Sequence, residues 1–452
     1  MRVLLLNVPW QIEGRYGVRS GSRWPFTSLP EKDGRIHYIP FPFFLAYAVS
    51  LLKKKGKTVK LIDAIAEGID VDGFFEKVNA YSAELIVIET STPSFKNDLD
   101  IASKIKRDLP ASKIALSGPH ASVFVEQILV DYPFIEYVLV GEYEYTLLDL
   151  ANALENNSNP KSILGLAYRE NKRVKVNNRR PTIDDLDSLP WPERESLPIY
   201  NYNDAFAGLP LPNVQVWASR GCPFSCTFCL WPQTIYGEHK HRKRSPKDIV
   251  AEIEYLVKKF DFKAVYFDDD IFNADKKQVL AICDEIIKRG IKIPWAIMGV
   301  ATLMDEEVLN GLARAGLYAV KYGIESTSPS VLKSCKKNLD LEKTSRIIQT
   351  TKGLGIKVHL TFCLGLPGET KSSIDNTIKF IRKVKPDSLQ FSLATPFPGT
   401  DFFEYVDNKK WLQSKNWDDF DGNHKCNVRN EQLSALELEQ IVFNLRNKFC
   451  LH

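Results

Sequence analysis

The sequence predicts an α/β protein in two successive parts, a doubly wound parallel-sheet domain of Rossmann-like type followed by six further βα units and a small C-terminal helical extension. Three observations carry this. Apolar runs of strand length recur through residues 1–150 with amphipathic stretches between them, the pattern of βαβ units whose parallel strands are buried on both faces. A second such series runs from residue 214 to about 400. Between them lies a stretch rich in turn formers, residues 178–192, suited to a linker lying across a surface. The expected division is 1–150, 151–213, 214–400 and 401–452, and a chain of 452 residues has room for two or three such cores.

Bulk composition excludes several classes. Apolar residues make up 44% and charged residues 26%, an ordinary globular balance, and the net charge of +4 is too mild to argue for nucleic acid. The opening Met1-Arg2-Val3-Leu4-Leu5-Leu6-Asn7 reads as a first strand rather than a signal peptide, because its apolar run stops at once. No apolar stretch reaches the roughly 18–20 residues that cross a bilayer. Eight cysteines, three of them clustered, point to a reducing cytoplasmic setting rather than a disulfide scaffold. The scattered five, Cys283, Cys335, Cys363, Cys426 and Cys450, read as buried small hydrophobes.

In the first part, strands are expected at 3–6, 58–63, 84–89, 113–117 and 137–140, with helices at 43–55 and 98–108. Ligands of such sheets sit beyond the carboxyl ends of the strands. That selects the loops holding Ser91, Thr92 and Pro93, then Gly118, Pro119 and His120, then Gly141 and Glu142. They offer hydroxyls, close backbone approach and helix N-terminal amides to a phosphate or polar tail. No G-x-G-x-x-G follows the first strand, so a dinucleotide site is poorly supported. Residues 14–40 form a long insertion in which Arg15, Arg19, Arg23 and Trp24 interleave charge with aromatic surface. This insertion either grips an anionic or sugar-like substrate or seals the interface with the second part. A hairpin is expected over 163–176, followed by the linker.

The second part opens with an apolar strand and then Cys222-Pro223-Phe224-Ser225-Cys226-Thr227-Phe228-Cys229, a C-x3-C-x2-C run. Thiolates this close suit a metal or an iron–sulfur cluster. Three ligands leave one iron of a four-iron cluster open, as an open position makes a catalytic zinc reactive. A zinc knuckle completed by His239 or His241 would use the same thiols. Further strands are expected at 264–268, 294–298, 319–324, 357–362 and 388–393. Polar groups cluster at their ends. The adjacent carboxylates Asp268, Asp269 and Asp270 repel one another and call for a polar ligand or an arginine partner. Glu325 ends another strand, and Gly365 opens a loop in which Glu369-Thr370 starts a helix. A helix is expected from Ser434 to Phe449, packing on the barrel or covering the substrate.

The cysteine run and these ordered strand ends resemble the radical S-adenosylmethionine (SAM) enzymes. The resemblance implies a partial (β/α)6 barrel, a [4Fe–4S] cluster on Cys222, Cys226 and Cys229, and SAM chelated through its amino and carboxylate groups to the open iron. An electron from the cluster then releases a 5′-deoxyadenosyl radical. It further implies that Phe228 packs on the adenine and that Asp268, Asp269 and Asp270 meet the amino group. Glu325 lies near the ribose or methionyl part, and Gly365, Thr361 and Gln390 belong to the same SAM site. Arg242 and Arg244 match the R-x-R-S-P of that family. Upstream, the loops of residues 1–150, the hairpin and a D-x-L-P-x-P linker are similar to the cobalamin-binding domain that precedes many radical SAM barrels. The D-x-H-x-x-G that supplies a histidine to cobalt is absent; the loop reads Asn7-Val8-Pro9-Trp10-Gln11-Ile12. Bound cobalamin would thus have no protein imidazole, and His120 is expected as a turn or tail contact. The resemblance implies methylation or rearrangement of an unactivated carbon of a small molecule, with an electron donor such as flavodoxin or ferredoxin and no nucleic-acid partner. A deoxygenase, dehydratase or cyclase without cobalamin, and a non-catalytic iron–sulfur module, stay open. No catalytic side chain is named by the sequence.

Overall fold

A computed structural model describes residues 1–30 and 38–449, so residues 31–37 of the insertion and Cys450 lie outside the described residues. The first strand, β1 (Arg2–Asn7), is apolar from Val3 to Leu6 and buried beyond Arg2. The chain then makes a small antiparallel strap of β2 (Gln11–Ile12), β3 (Arg15–Val18) and β4 (Phe26–Ser28). Next come β5 (Thr58–Asp63), β6 (Leu85–Glu89), β7 (Lys113–Ser117) and β8 (Tyr137–Leu139), all parallel to β1 where they pair, as expected. The hairpin β9 (Leu166–Glu170) and β10 (Arg173–Val176) is more than a bridge. β9 pairs antiparallel with β8, giving a seven-stranded sheet in the order β10-β9-β8-β7-β6-β1-β5. The order reverses between β1 and β6, which makes the crevice beyond their carboxyl ends the natural ligand position.

The second part begins with β11 (Asn213–Val216) and a two-stranded ribbon, β12 (Ser219–Arg220) with β13 (Arg242–Lys243). It continues through β14 (Ala264–Phe267), β15 (Trp295–Gly299), β16 (Leu317–Glu325), β17 (Lys357–Leu364) and β18 (Ser388–Leu393). These six parallel strands lie in sequence order, β11-β14-β15-β16-β17-β18, an open half-barrel. Alternation along each strand sorts the side chains. Val265, Phe267, Ile297, Val320, Leu360 and Phe362 join the large core beneath the helices. Ala264, Tyr266, Ala296 and Ala319 turn inward, where Phe206 and Leu209 of the linker plug the floor.

The helices start where the sequence says they should. Ser245 caps Pro246–Phe260 by accepting from the Asp248 amide, with proline in the first turn, so the S-P of the R-x-R-S-P run is a helix start. Thr370 caps Lys371–Val384 in the same way. The final helix, Ala435–Phe449, packs on β18, where Arg446 donates to the Phe391 carbonyl. Trp417, on the way to it, reaches back to stack against His120 and Phe124 of the first domain. Among the described residues, no helix is long and apolar enough to cross a membrane.

The two domains share one core. Phe43 and Phe44, at the start of helix Phe43–Lys54, pack on Trp217 and Trp231 of the second domain at centroid distances of 4.1 and 5.2 Å. Beside them lies a buried ionic latch. Arg220 pairs with Glu144 at 2.7 Å and Glu142 at 3.3 Å, and Arg242 pairs with Glu142 at 2.7 Å, with every side chain at most 2% exposed.

Candidate functional site

The cysteine loop hangs from the β12–β13 ribbon. Gly221 has φ of +86°, and a Cβ there would lie 2.1 Å from the Lys240 carbonyl oxygen, so the entry to the loop needs glycine. Cys222, Cys226 and Cys229 are half-buried, whereas Cys283, Cys335, Cys363 and Cys426 are buried as expected. Gln233 staples the loop by donating to the carbonyls of Thr227 at 3.1 Å and Cys229 at 2.7 Å. Burial pushes the Cys222 thiol up to about 12, while a hydrogen bond from Cys229 brings Cys226 down to about 7. Ligation by iron would deprotonate all three. Among the described residues no three Cys, His, Asp or Glu side chains converge tightly enough to hold a single ion. A four-iron cluster spreads its thiolates over separate irons.

The carboxylate triplet divides. Asp269 turns to the base of the loop, accepting from the Ser219 hydroxyl and from the Ala218 amide at 3.3 Å. Asp270 accepts from the Gly221 amide at 2.7 Å and the Tyr236 hydroxyl at 2.9 Å, directly before Cys222. The expected arginine partner is Arg23 of the strap, at 2.8 Å from Asp268 and 2.7 Å from Asp270. Burial raises Asp268 and Asp269 to about 7; at Asp270 burial is outweighed by Arg23, which holds the carboxyl below its usual range. Asp269 thus anchors the loop instead of facing a ligand, and Arg23 is already neutralised, which corrects its reading as a substrate grip.

The remaining strap residues seal the interface. Arg19 is buried in the β1–β6 crevice, donating to Asp98 at 2.6 Å and Asn7 at 3.1 Å. Trp24 packs edge-on against Phe228 and Phe397 and donates to the Gly422 carbonyl at 2.9 Å. Arg15 pairs only with exposed Glu13. On the inner face of the half-barrel, Thr361 stands in register with Gly323 and Gln390, and exposed Gln390 reaches Ser392 at 3.3 Å. Glu325 pairs with Lys337 at 2.9 Å. Gly365 lies under Leu438 of the final helix and donates its amide to buried Glu369 at 2.6 Å, so it shapes a turn. Arg244 is held by Asp248 and by Glu252 at 2.6 Å, and Arg242 belongs to the latch; both are structural.

At the edge of the first sheet, Ser91, Thr92 and Pro93 form a single helical turn leading into helix Phe95–Asp108. His120 Nδ1 lies 3.2 Å from the Thr92 hydroxyl and the ring is enclosed by Phe95, Phe124 and Trp417; burial pushes it down to about 3, so it stays neutral. Pro119 opens a short helix, and Gly118 presses on the Thr90 backbone. Gly141 abuts the Ile235 carbonyl, and Glu142 is consumed by the latch, which corrects its reading as a ligand group. Two hollows border this edge. One, lined by Arg19, Glu89, Ser91, Gly118, Pro119 and Trp231, measures about 10 Å³, room for one water. The other, about 900 Å³, opens beyond β1 and β5 beside Trp10, Tyr16, Asn97 and Tyr202. The hydroxyls and helix starts around Ser91 and Gly118 fit a polar cofactor tail in kind.

Comparison with known proteins follows this division. Residues 218–381 match the radical SAM superfamily and residues 34–151 match the B12 binding domain. An uncharacterized methyltransferase of Pyrococcus horikoshii is 31% identical over 377 residues, covering 83% of this chain and 80% of that protein. The chain belongs to the radical SAM superfamily. This radical SAM protein is also 29% identical to the anaerobic magnesium-protoporphyrin IX monomethyl ester cyclase of Rubrivivax gelatinosus, over 81% of this chain and 66% of that one. Two solved structures share its fold. The radical SAM methyltransferase TsrM from Kitasatospora setae gives a TM-score of 0.71 at 19% identity, over 91% of this chain and 77% of that one. The cobalamin-dependent SAM radical enzyme OxsB gives 0.72 at 18%, over 95% and 64%. Membership makes the chain an enzyme and sets aside a non-catalytic iron–sulfur module. The radical SAM domain implies a [4Fe–4S] cluster and SAM, and the B12 binding domain implies cobalamin.

Lys337 and Gln233 are the residues that reading the sequence missed. Lys336-Lys337 looks like surface charge, and Gln233 carries no signal of its own.

Proposed function

We propose that this radical SAM enzyme holds a [4Fe–4S] cluster on Cys222, Cys226 and Cys229 and uses it to cleave SAM, acting with cobalamin to methylate or rearrange an unactivated carbon of a small molecule. The observation that carries the reading is the presentation of three half-buried thiols on one short loop of the half-barrel. When bound, the cluster supplies the electron that splits SAM to a 5′-deoxyadenosyl radical, and cobalamin supplies a transferable methyl group. The chain does the positioning. Gln233, Asp269 and Asp270 fix the loop, so the thiols are preorganised. Asp268, Thr361, Glu325 and Gln390 would offer hydrogen-bond partners to the amino and ribose groups of SAM. Phe228 and Trp24 close the mouth against water.

A second reading, a deoxygenase or cyclase without cobalamin, is favoured by the engagement of His120 and Glu142 with protein. Anaerobic reconstitution separates the two. The expected result is a reduced cluster signal by electron paramagnetic resonance that SAM alters, release of 5′-deoxyadenosine, and hydroxocobalamin retained at about one per chain. Cleavage without cobalamin retention selects the second reading. A cluster signal that survives Cys222→Ala, Cys226→Ala or Cys229→Ala rules out the assigned ligands.

A further inference from the structure

The ion pair between Glu325 and Lys337 lies at the carboxyl end of β16 in the half-barrel. Lys337 follows helix Pro329–Ser334, and its side chain is 14% exposed, with Nζ 2.9 Å from Glu325 Oε1. Its neighbour Lys336 behaves as a surface lysine, 57% exposed and paired with Asp401. Burying an ammonium and a carboxylate is costly unless their geometry is well set. Here the backbone is bent to set it. Glu325 lies at φ of +64°, a region that disfavours side chains, at a register shift between Gly323 and Glu325. Such bulges re-aim a side chain, and strain of this kind persists where the surroundings enforce it. Gly323 leaves the space: a Cβ there would lie 2.7 Å from Glu325 Oε1 and 3.2 Å from Lys337 Nζ.

The pair is aimed at the cysteine loop. The Thr227 amide, between Cys226 and Cys229, donates to the Cys335 carbonyl at 3.1 Å, stitching the loop to the stretch that carries Lys337. Burial works against the charge on Lys337, yet Glu325 and Cys226 more than offset it and hold the ammonium well above its ordinary range.

Resting on the cluster assignment above, we propose that Lys337 is a positioning residue of the cluster: its ammonium, held by Glu325 against the cysteine loop, is a fixed positive charge that favours the reduced state. Three thiolates around an oxidised [4Fe–4S]2+ core carry a net charge of −1, and one-electron reduction to the 1+ core takes it to −2. A nearby cation stabilises the second state more than the first, and net charge is among the levers that set cluster potentials.

The test is a midpoint-potential titration of the reconstituted full chain without SAM, with dithionite and mediators as electron source and the cluster signal as readout. Lys337→Met is expected to shift the reduction equilibrium at least tenfold toward the oxidised form, about 59 mV for one electron. Lys337→Arg should stay near wild type, because it keeps the charge. Glu325→Gln should shift the equilibrium the other way, because it removes the opposing carboxylate. Equal potentials in wild type, Lys337→Met and Glu325→Gln overturn the proposal. If Lys337→Met assembles no cluster, Glu325→Gln decides it, a rise supporting the proposal and no change overturning it. Wild type without any cluster overturns the ligand assignment itself, an outcome distinct from unchanged potentials.

Discussion

At the carboxyl edge of the first sheet, Asp98, His120, Glu142 and Glu144 all end on protein: on Arg19, on Thr92 within an aromatic ring, and on the arginines of the latch. At the carboxyl edge of the half-barrel, the three thiols stay half-exposed, Gln390 is exposed, and Glu325 with Lys337 is strained toward the loop. Both edges sit where α/β folds place ligands. The groups named at the first edge are engaged by protein, whereas the thiols and Gln390 of the second keep solvent-facing surface. Position at a strand end is therefore a necessary sign of a site, and the partner of each group decides whether it is free to act.

The comparison can be broken by experiment. The largest effect is expected at the latch. If Glu142 and Glu144 exist to hold the domains, Arg220→Met strands buried carboxylates and costs about 3–5 kcal/mol in urea unfolding. A cost below about 1 kcal/mol would return Glu142 to the ligand groups.

A smaller, pH-dependent effect belongs to His120. Its folded pKa of about 3 lies below its ordinary 6.5, so the unfolded chain takes up a proton that the folded one refuses. Its contribution is present above pH 6.5 and lost as pH falls toward 3. His120→Asn should flatten that part of the melting-temperature profile; an unchanged acid slope means that the ring is not caged. Glu369 in the half-barrel mirrors it, with burial raising its folded pKa to about 8. Its contribution is present below about pH 4.5 and lost as pH rises through 8, so Glu369→Gln should gain on wild type in alkali.

The smallest effect is at Arg15. Its partner Glu13 is 78% exposed, so Arg15→Ala should change stability by less than about 0.5 kcal/mol and leave SAM cleavage unchanged. A loss of cleavage would restore Arg15 as a substrate contact.

The strands of both sheets, the cysteine loop and the capped helix starts were legible, because each is written in local spacing. The partners of the charged groups were not. Arg19 meets Asp98, and Arg23 meets Asp268 far along the chain. Neither pairing leaves a periodic mark. Asp269 and Asp270 differ in role although they are adjacent, because one faces Ser219 and the other Gly221. Lys337 was illegible for a related reason: only the bend at Glu325 separates it from its exposed neighbour Lys336.

The aromatic contacts from Phe43 and Phe44 to Trp217 and Trp231 run one apolar core through the boundary that the sequence suggests between the two parts. A boundary in composition is then no boundary in cooperativity. Neither part is a detachable module: cutting near residue 213 would expose two aromatic faces at once, and the halves would unfold or aggregate together.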